Sequence, residues 1–176
     1  MSFHFDTALA AKLKTANPDV LEEIVRQSEL RLQHSAATAL HRDIRNLTTG
    51  MAFAAFSAAG VTAAAAGLGG EDANWVLAWF GGVLGAGMML AAVMALWQAR
   101  PRQYWTPGNP PRVWLLDIEA GCTMQDARAD TATIHQTCID SNEAIAAEQR
   151  RGMMHAWYVA AASAVSAICA AVFAAS

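Results

Sequence analysis

Charge is what this sequence has least of. Asp, Glu, Lys and Arg make up 15% of it, against about 25% in an ordinary soluble domain, while 55% of the residues are hydrophobic. Basic excess is missing too: 12 Lys and Arg stand against 15 Asp and Glu, a net charge of -3. No basic stripe offsets that balance, so nucleic acid is not an expected partner. Cysteine is scarce and odd in number. Cys122, Cys138 and Cys169 fit no metal-knuckle spacing, which excludes a disulfide framework and a zinc ribbon. The opening Met1 to Asp6 has no basic region followed by an apolar run, so no cleaved signal peptide is expected. A chain of 176 residues has room for one domain and little more.

The placement of the missing charge carries the fold. No Asp, Glu, Lys or Arg occurs between Arg45 and Glu71, between Asp72 and Arg100, or after Arg151. Each gap exceeds the roughly 20 residues that a helix needs to cross about 30 Å of hydrocarbon. The sequence therefore predicts an all-α integral membrane protein with three transmembrane helices, residues 47–68, 75–98 and 154–175, and cytoplasmic helical extensions, residues 1–46 and 99–152. Alanine dominates the spans, so their apolarity is modest. In the second, eight strong residues from Val76 to Leu96 contribute about -2.4 to -4.8 kcal/mol on the insertion scale, which one central charge at about +2.5 to +3.5 would largely cancel. The first and third spans have fewer such residues and gain from packing on the second. A soluble alanine-rich bundle is the competing reading. Three charge-free stretches in so short a chain leave it too little polar surface to wrap them.

Topology follows from the basic residues. Six precede the first span and six lie between the second and third, whereas the connection Gly69 to Asn74 and the C-terminal tail have none. The positive-inside rule then places the N-terminus and residues 99–152 in the cytoplasm, with the hairpin tip and the C-terminus outside, which in a bacterial inner membrane is periplasmic. Trp75, Trp97, Trp105 and Trp157 fall at or near span ends, where amphipathic rings favour the headgroup level.

The cytoplasmic parts read as helical with one irregular piece. Asp6 is placed to cap a short helix through Lys14, and Asn17-Pro18 supplies a cap and a first-turn proline for a helix in which Val20, Ile24, Leu32, Leu40, Ile44 and Leu47 recur at near-helical spacing. Between Arg100 and Trp114, four of the five prolines forbid a regular helix. Tyr104, Trp105 and Trp114 give this loop large surfaces to bury, and Gly108 suits a turn that needs positive φ. From Thr123, with Asp126 as its capping-box partner, one helix without proline runs to the C-terminus. Its Ile134, Cys138, Ser141 and Ile145 form a heptad-like stripe expected to face a partner helix. Asn142 beside that stripe reads as solvated, with a register-fixing role as the alternative.

Catalytic constellations are thin, and the expectation is a non-enzyme without cofactor or metal. His135 and Cys138, with Asp130 or Asp140 nearby, are too few for a metal centre. His34 and His41, seven apart on one helix, are surface or interhelical residues before they are pH sensors. Asp117 and Glu119 have a spacing too common to suggest acid–base chemistry, and Gly67 to Gly70 is a turn. The spans hold no ionisable residue at mid-membrane, which argues against an ion-coupled transporter. What they do hold is packing chemistry. Gly81 and Gly85 make a G-x-x-x-G step joined by Gly82 and Ala86, and Ser163, Ala167 and Ala171 form a small-residue ridge. Such ridges allow close backbone approach in lipid, either within the chain or in a homo-oligomer.

Three stretches carry a resemblance: Arg31-Leu-Gln-x-x-x-Ala-x-x-Leu-His-Arg-Asp43, Ala99-Arg-Pro-x-x-Tyr104 with Pro107-Gly-Asn-x-Pro-x-x-Trp114, and Ile139-Asp-x-Asn-x-x-Ile145. Together they resemble small bacterial inner-membrane proteins of uncharacterised role. The layout of helix, two spans and cytoplasmic helical segment is also loosely similar to SLATT-type and Pycsar-type transmembrane effectors of anti-phage defence. That likeness implies an oligomer that compromises the membrane when triggered by a cytoplasmic protein or a small ligand. The third span departs from the two-span versions, and no functional residue is carried over. The expected function is thus an oligomeric inner-membrane effector or signal-responsive module. The alternative is a non-catalytic structural or accessory anchor that holds a soluble partner at the lipid bilayer.

Overall fold

In the computed structural model, which describes residues 5–69, 73–108, 115 and 117–175, the chain runs through the helices α1 (Thr7–Lys14), α2 (Pro18–Leu68), α3 (Trp75–Gln98) and α4 (Met124–Ala175). No strand occurs among the described residues. The helix starts follow local chemistry. The Asp6 carboxylate accepts from the backbone N–H groups of Ala8 and Leu9 at 3.0 Å, the Asn17 side chain accepts from Asp19 at 2.9 Å, and Asn74 accepts from Leu77 at 3.0 Å, each satisfying donors that a helix start leaves open. At α4 the Thr123 hydroxyl accepts from the Asp126 N–H, as a capping side chain does, and donates to the Asp126 carboxylate. Three helices, α2, α3 and α4, are long and apolar enough to cross a membrane.

The chain divides into two compact units, and α2 and α4 contribute to both. The first comprises residues 1–40 and 102–146. Its core is a row of small clusters in which Leu21 meets Ala129 and Ala132, and Leu32 meets Cys138 and Ile139. Lys14 pairs with Asp130 at 3.3 Å, and Gln125 donates to the carbonyls of Lys14 and Ala16 at 2.8 and 3.0 Å, which fastens α1 to the start of α4. Only part of the recurring apolar row of α2 is buried. Val20, Leu40, Ile44 and Leu47 are exposed, while Leu21, Leu32 and Ala39 are buried. The reason is the partner's shape: α4 presents Ala129 and Ala132 with polar residues between, so α2 turns toward it a face that mixes leucine, alanine and serine.

The second unit comprises residues 41–101 and 147–176. Its core is made of Phe53, Ala91, Ala92, Ala95, Met153, Ala156 and Ala160, and Phe53 meets Trp157 edge-on with ring centroids 5.0 Å apart. Here the usual size order is inverted. Ala78, Gly81, Gly85, Ala91, Ala95 and Ala167 are inside, whereas Phe56, Trp79, Leu90, Val93, Ile168 and Phe173 are outside. Small residues let backbones approach, and the large apolar ones are left to the surroundings.

Candidate functional site

The most structured polar feature is a ladder between α2 and α4. Ser28 meets His135, Ser35 meets Asn142 and Arg42 meets Gln149, and in every pair the residues are 107 apart in sequence. In the first unit the equal offset of its two pairs means parallel helices, and the seven-residue step on each is that of a heptad seam. His135, Asn142 and Gln149 are 4%, 2% and 0% exposed. Buried amides and imidazoles are tolerated when their donors and acceptors are used, and most of these are.

In the first unit, Ser28 donates its one hydroxyl proton to the Val25 carbonyl at 2.7 Å, so its oxygen accepts from His135 Nδ1 at 2.8 Å. That arrangement keeps the Nδ1 proton in place and leaves Nε2 as the titrating atom. Burial pushes the His135 pKa below its ordinary 6.5, with Glu29 as a weaker opposing influence. A depressed histidine pKa means that the unfolded chain binds the extra proton first, so stability is full above pH 6.5 and falls as pH drops below it. Thermal melting between pH 7.5 and 5 should show that loss, and His135→Asn should flatten it; an unchanged slope in the variant would assign the effect elsewhere.

One rung further on, Asn142 brackets a loop residue. Its Oδ1 accepts from the Trp105 N–H at 3.0 Å, while Nδ2 donates to the Trp105 carbonyl and to the Ser35 hydroxyl, both at 3.0 Å. The amide imitates a strand partner and holds the loop by its backbone. This corrects the expectation of a solvated Asn142, and Trp105 itself is 40% exposed. Tyr104 is half-buried, Gly108 is exposed with φ at 105° as a turn requires, and Trp114 lies outside the described residues.

In the second unit, the Gln149 amide donates to Asp43 at 2.9 Å and to the Gln98 carbonyl at 3.1 Å and accepts from Arg42 at 3.3 Å. One side chain therefore ties α2, the end of α3 and α4. Beyond it the glycine step of α3 is used inside the chain: a Cβ on Gly81 would strike the backbone of Gly60 and Ala64, and one on Gly85 would lie 3.0 Å from the Val61 nitrogen. Ser57 of α2 donates to the Gly85 carbonyl at 2.8 Å. Ser163 abuts Gly87, Ala167 is fully buried and Ala171 is half-buried. Gly82 and Ala86, by contrast, are exposed, with open space above Gly82.

The remaining candidates do not converge. His34 and His41 are exposed, Asp130 pairs with Lys14 and Asp140 accepts from Gln136, and Asp117 and Glu119 share no bond with each other among the described residues. Cys138 packs on Leu32 and Ile139 with its thiol pKa raised by burial, and no cluster of three metal-binding side chains exists among the described residues. The ladder, which sequence reasoning missed, had one signal: Ser28, Ser35 and Arg42 on one helix and His135, Asn142 and Gln149 on another share a seven-residue step. The chain matches no protein-family model, no curated protein and no solved structure.

Proposed function

We propose that this chain is a three-span bacterial inner-membrane protein without catalytic activity, acting as an oligomeric, signal-responsive module or effector. The observation that carries the membrane part is the inverted size order of the second unit. Phe56, Trp79, Leu90, Val93, Ile168 and Phe173 are exposed around a core of alanine and glycine, an outward apolar surface that water would penalise and lipid would not. Exposed Trp75, Trp97 and Trp157 at the ends of the apolar segments support the same reading. Arg100 stacks over Trp97 at 4.3 Å.

The responsive part is supported by the two helices common to both units. α2 and α4 are each unbroken from their polar to their apolar portions, and buried polar pairs join them within the first unit and within the second. A register set by buried polar contacts is discrete, so a trigger that breaks a rung shifts the pair by steps. Self-association has its surface in Gly82 and Ala86 of α3 and in the exposed Ile44, Leu47 and Met51 of α2.

Two measurements test the reading. A reporter active only outside the cytoplasm should be active when fused after Ser176 and silent when inserted at Gly108; a silent C-terminal fusion at normal protein level removes the third span. Inducible expression in bacteria should arrest growth with loss of membrane potential. Harmless accumulation in the membrane would instead favour an anchor for a soluble partner.

A further inference from the structure

One position in the α2 seam breaks its own pattern. Val25, Leu32, Ala39, Asn46 and Phe53 recur every seven residues, and all but Asn46 are apolar. Asn46 is 1% exposed, yet neither its Oδ1 nor its Nδ2 has a hydrogen-bond partner among the described residues. An orphaned buried amide is destabilising. A register-fixing asparagine would have a polar group opposite it, but the residue 107 further on is Met153, which offers none.

Asn46 lines a cavity of about 290 Å³ between α2 and α4 in the second unit. Arg42 and Arg45 reach it from α2, Arg150 from α4, and Trp157 closes one side. No carboxylate lines it among the described residues. Arg45 and Arg150 are exposed, and neither has an ion pair among the described residues. Three guanidinium groups suit the oxygens of a phosphate through paired N–H donors, while the Asn46 amide lies within the cavity wall, its own atoms shut from the open space. The volume lies at the lower edge of small-molecule pockets, roughly 300–1,000 Å³, which suits a headgroup and is cramped for a nucleotide.

We propose that this cavity binds a phosphate-bearing anion, and that the source is the headgroup of an anionic phospholipid. The lipid source rests on the membrane reading above: the cavity lies where the basic end of α2 passes into its apolar part, and basic pockets between spans at that level take anionic headgroups. Trp157 at the same level fits the headgroup zone.

The test uses the full chain in neutral detergent, with binding followed by thermal shift and native mass spectrometry. Phosphatidylglycerol should give a saturable shift that phosphatidylcholine does not. Arg45→Gln with Arg150→Gln should weaken it at least tenfold without changing the melting of the lipid-free protein, since both side chains are exposed and neither has an ion pair among the described residues. An equal, variant-sensitive shift with inorganic phosphate would support the phosphate site and assign it to a soluble compound. No saturable shift with either probe, or one that survives the double arginine substitution, overturns the proposal. Alkaline carbonate extraction tests the membrane reading separately, because a chain released from membranes that still binds phosphate keeps the site and loses only the lipid.

Discussion

Replacing Gly81 and Gly85 together by leucine is expected to unfold the apolar unit even though it makes α3 more hydrophobic. Each leucine improves insertion by about 0.3–0.6 kcal/mol relative to a neutral residue. Each also forces a side chain into space held by another backbone. A Cβ at Gly81 meets Gly60 and Ala64, one at Gly85 meets Val61, and the reciprocal position Gly60 lies so close that its own Cβ would stand 2.7 Å from the Gly85 nitrogen. Overpacking of this kind costs about 1–3 kcal/mol per site when neighbours can adjust, and here the neighbours are main chain, which cannot turn aside as a side chain would. The bond from Ser57 to the Gly85 carbonyl is lost with the separation. Detergent melting should therefore drop by more than 10 °C, or the protein should be degraded in cells. Gly82→Leu is the control. It points into open space, so it should leave melting unchanged and alter only cross-linking between copies. Equal melting of the double variant and the parent would show that α3 packs through another face.

Much of this architecture was legible because short-range chemistry sets it. The caps at Asp6, Asn17 and Thr123 depend on residues two or three apart, and the apolar helix limits follow from charge and proline. Both are local properties, and α3 begins and ends where the charge pattern places it, at Trp75 and Gln98. The G-x-x-x-G step identified a close-packing face, but spacing alone does not say which helix fills it; Gly60 on α2, lying outside any such step, supplies the answer. The ladder was hidden for a different reason. Histidine, asparagine and glutamine are usually solvated, so a hydrophobic stripe through Ile134, Cys138, Ser141 and Ile145 was the natural choice on α4. The buried face is turned by about one residue from it, through His135, Cys138, Asn142 and Gln149. Only the partner residues on α2 make that face affordable, and they lie 107 residues away, beyond the reach of any periodicity argument.

The proline-rich loop and the polar ladder meet at Asn142, and that residue is where the second large effect is expected. Asn142→Ala removes three hydrogen bonds, two to the Trp105 backbone and one to Ser35. At about 0.5–1.5 kcal/mol each the loss is roughly 1.5–4.5 kcal/mol, a large share of the stability of a small unit. The loss is also directional. The α2 and α4 contacts at Leu32, Cys138 and Ile139 do not depend on the amide, so the loop should detach before the helices part. Limited proteolysis should then cut near residues 102–108 under conditions where the parent is resistant, with the far-ultraviolet helical signal retained at low temperature. Asn142→Asp keeps the acceptor for the Trp105 N–H and loses both donated bonds, so its cleavage should fall between parent and alanine variant. Expression phenotype beside abundance then separates two roles. A stable but silent Asn142→Asp variant makes the loop the element that couples input to the apolar unit, and one that is stable and fully active makes the bracket a structural clip. Cleavage of the alanine variant no faster than that of the parent would show that the loop is held by contacts other than this amide.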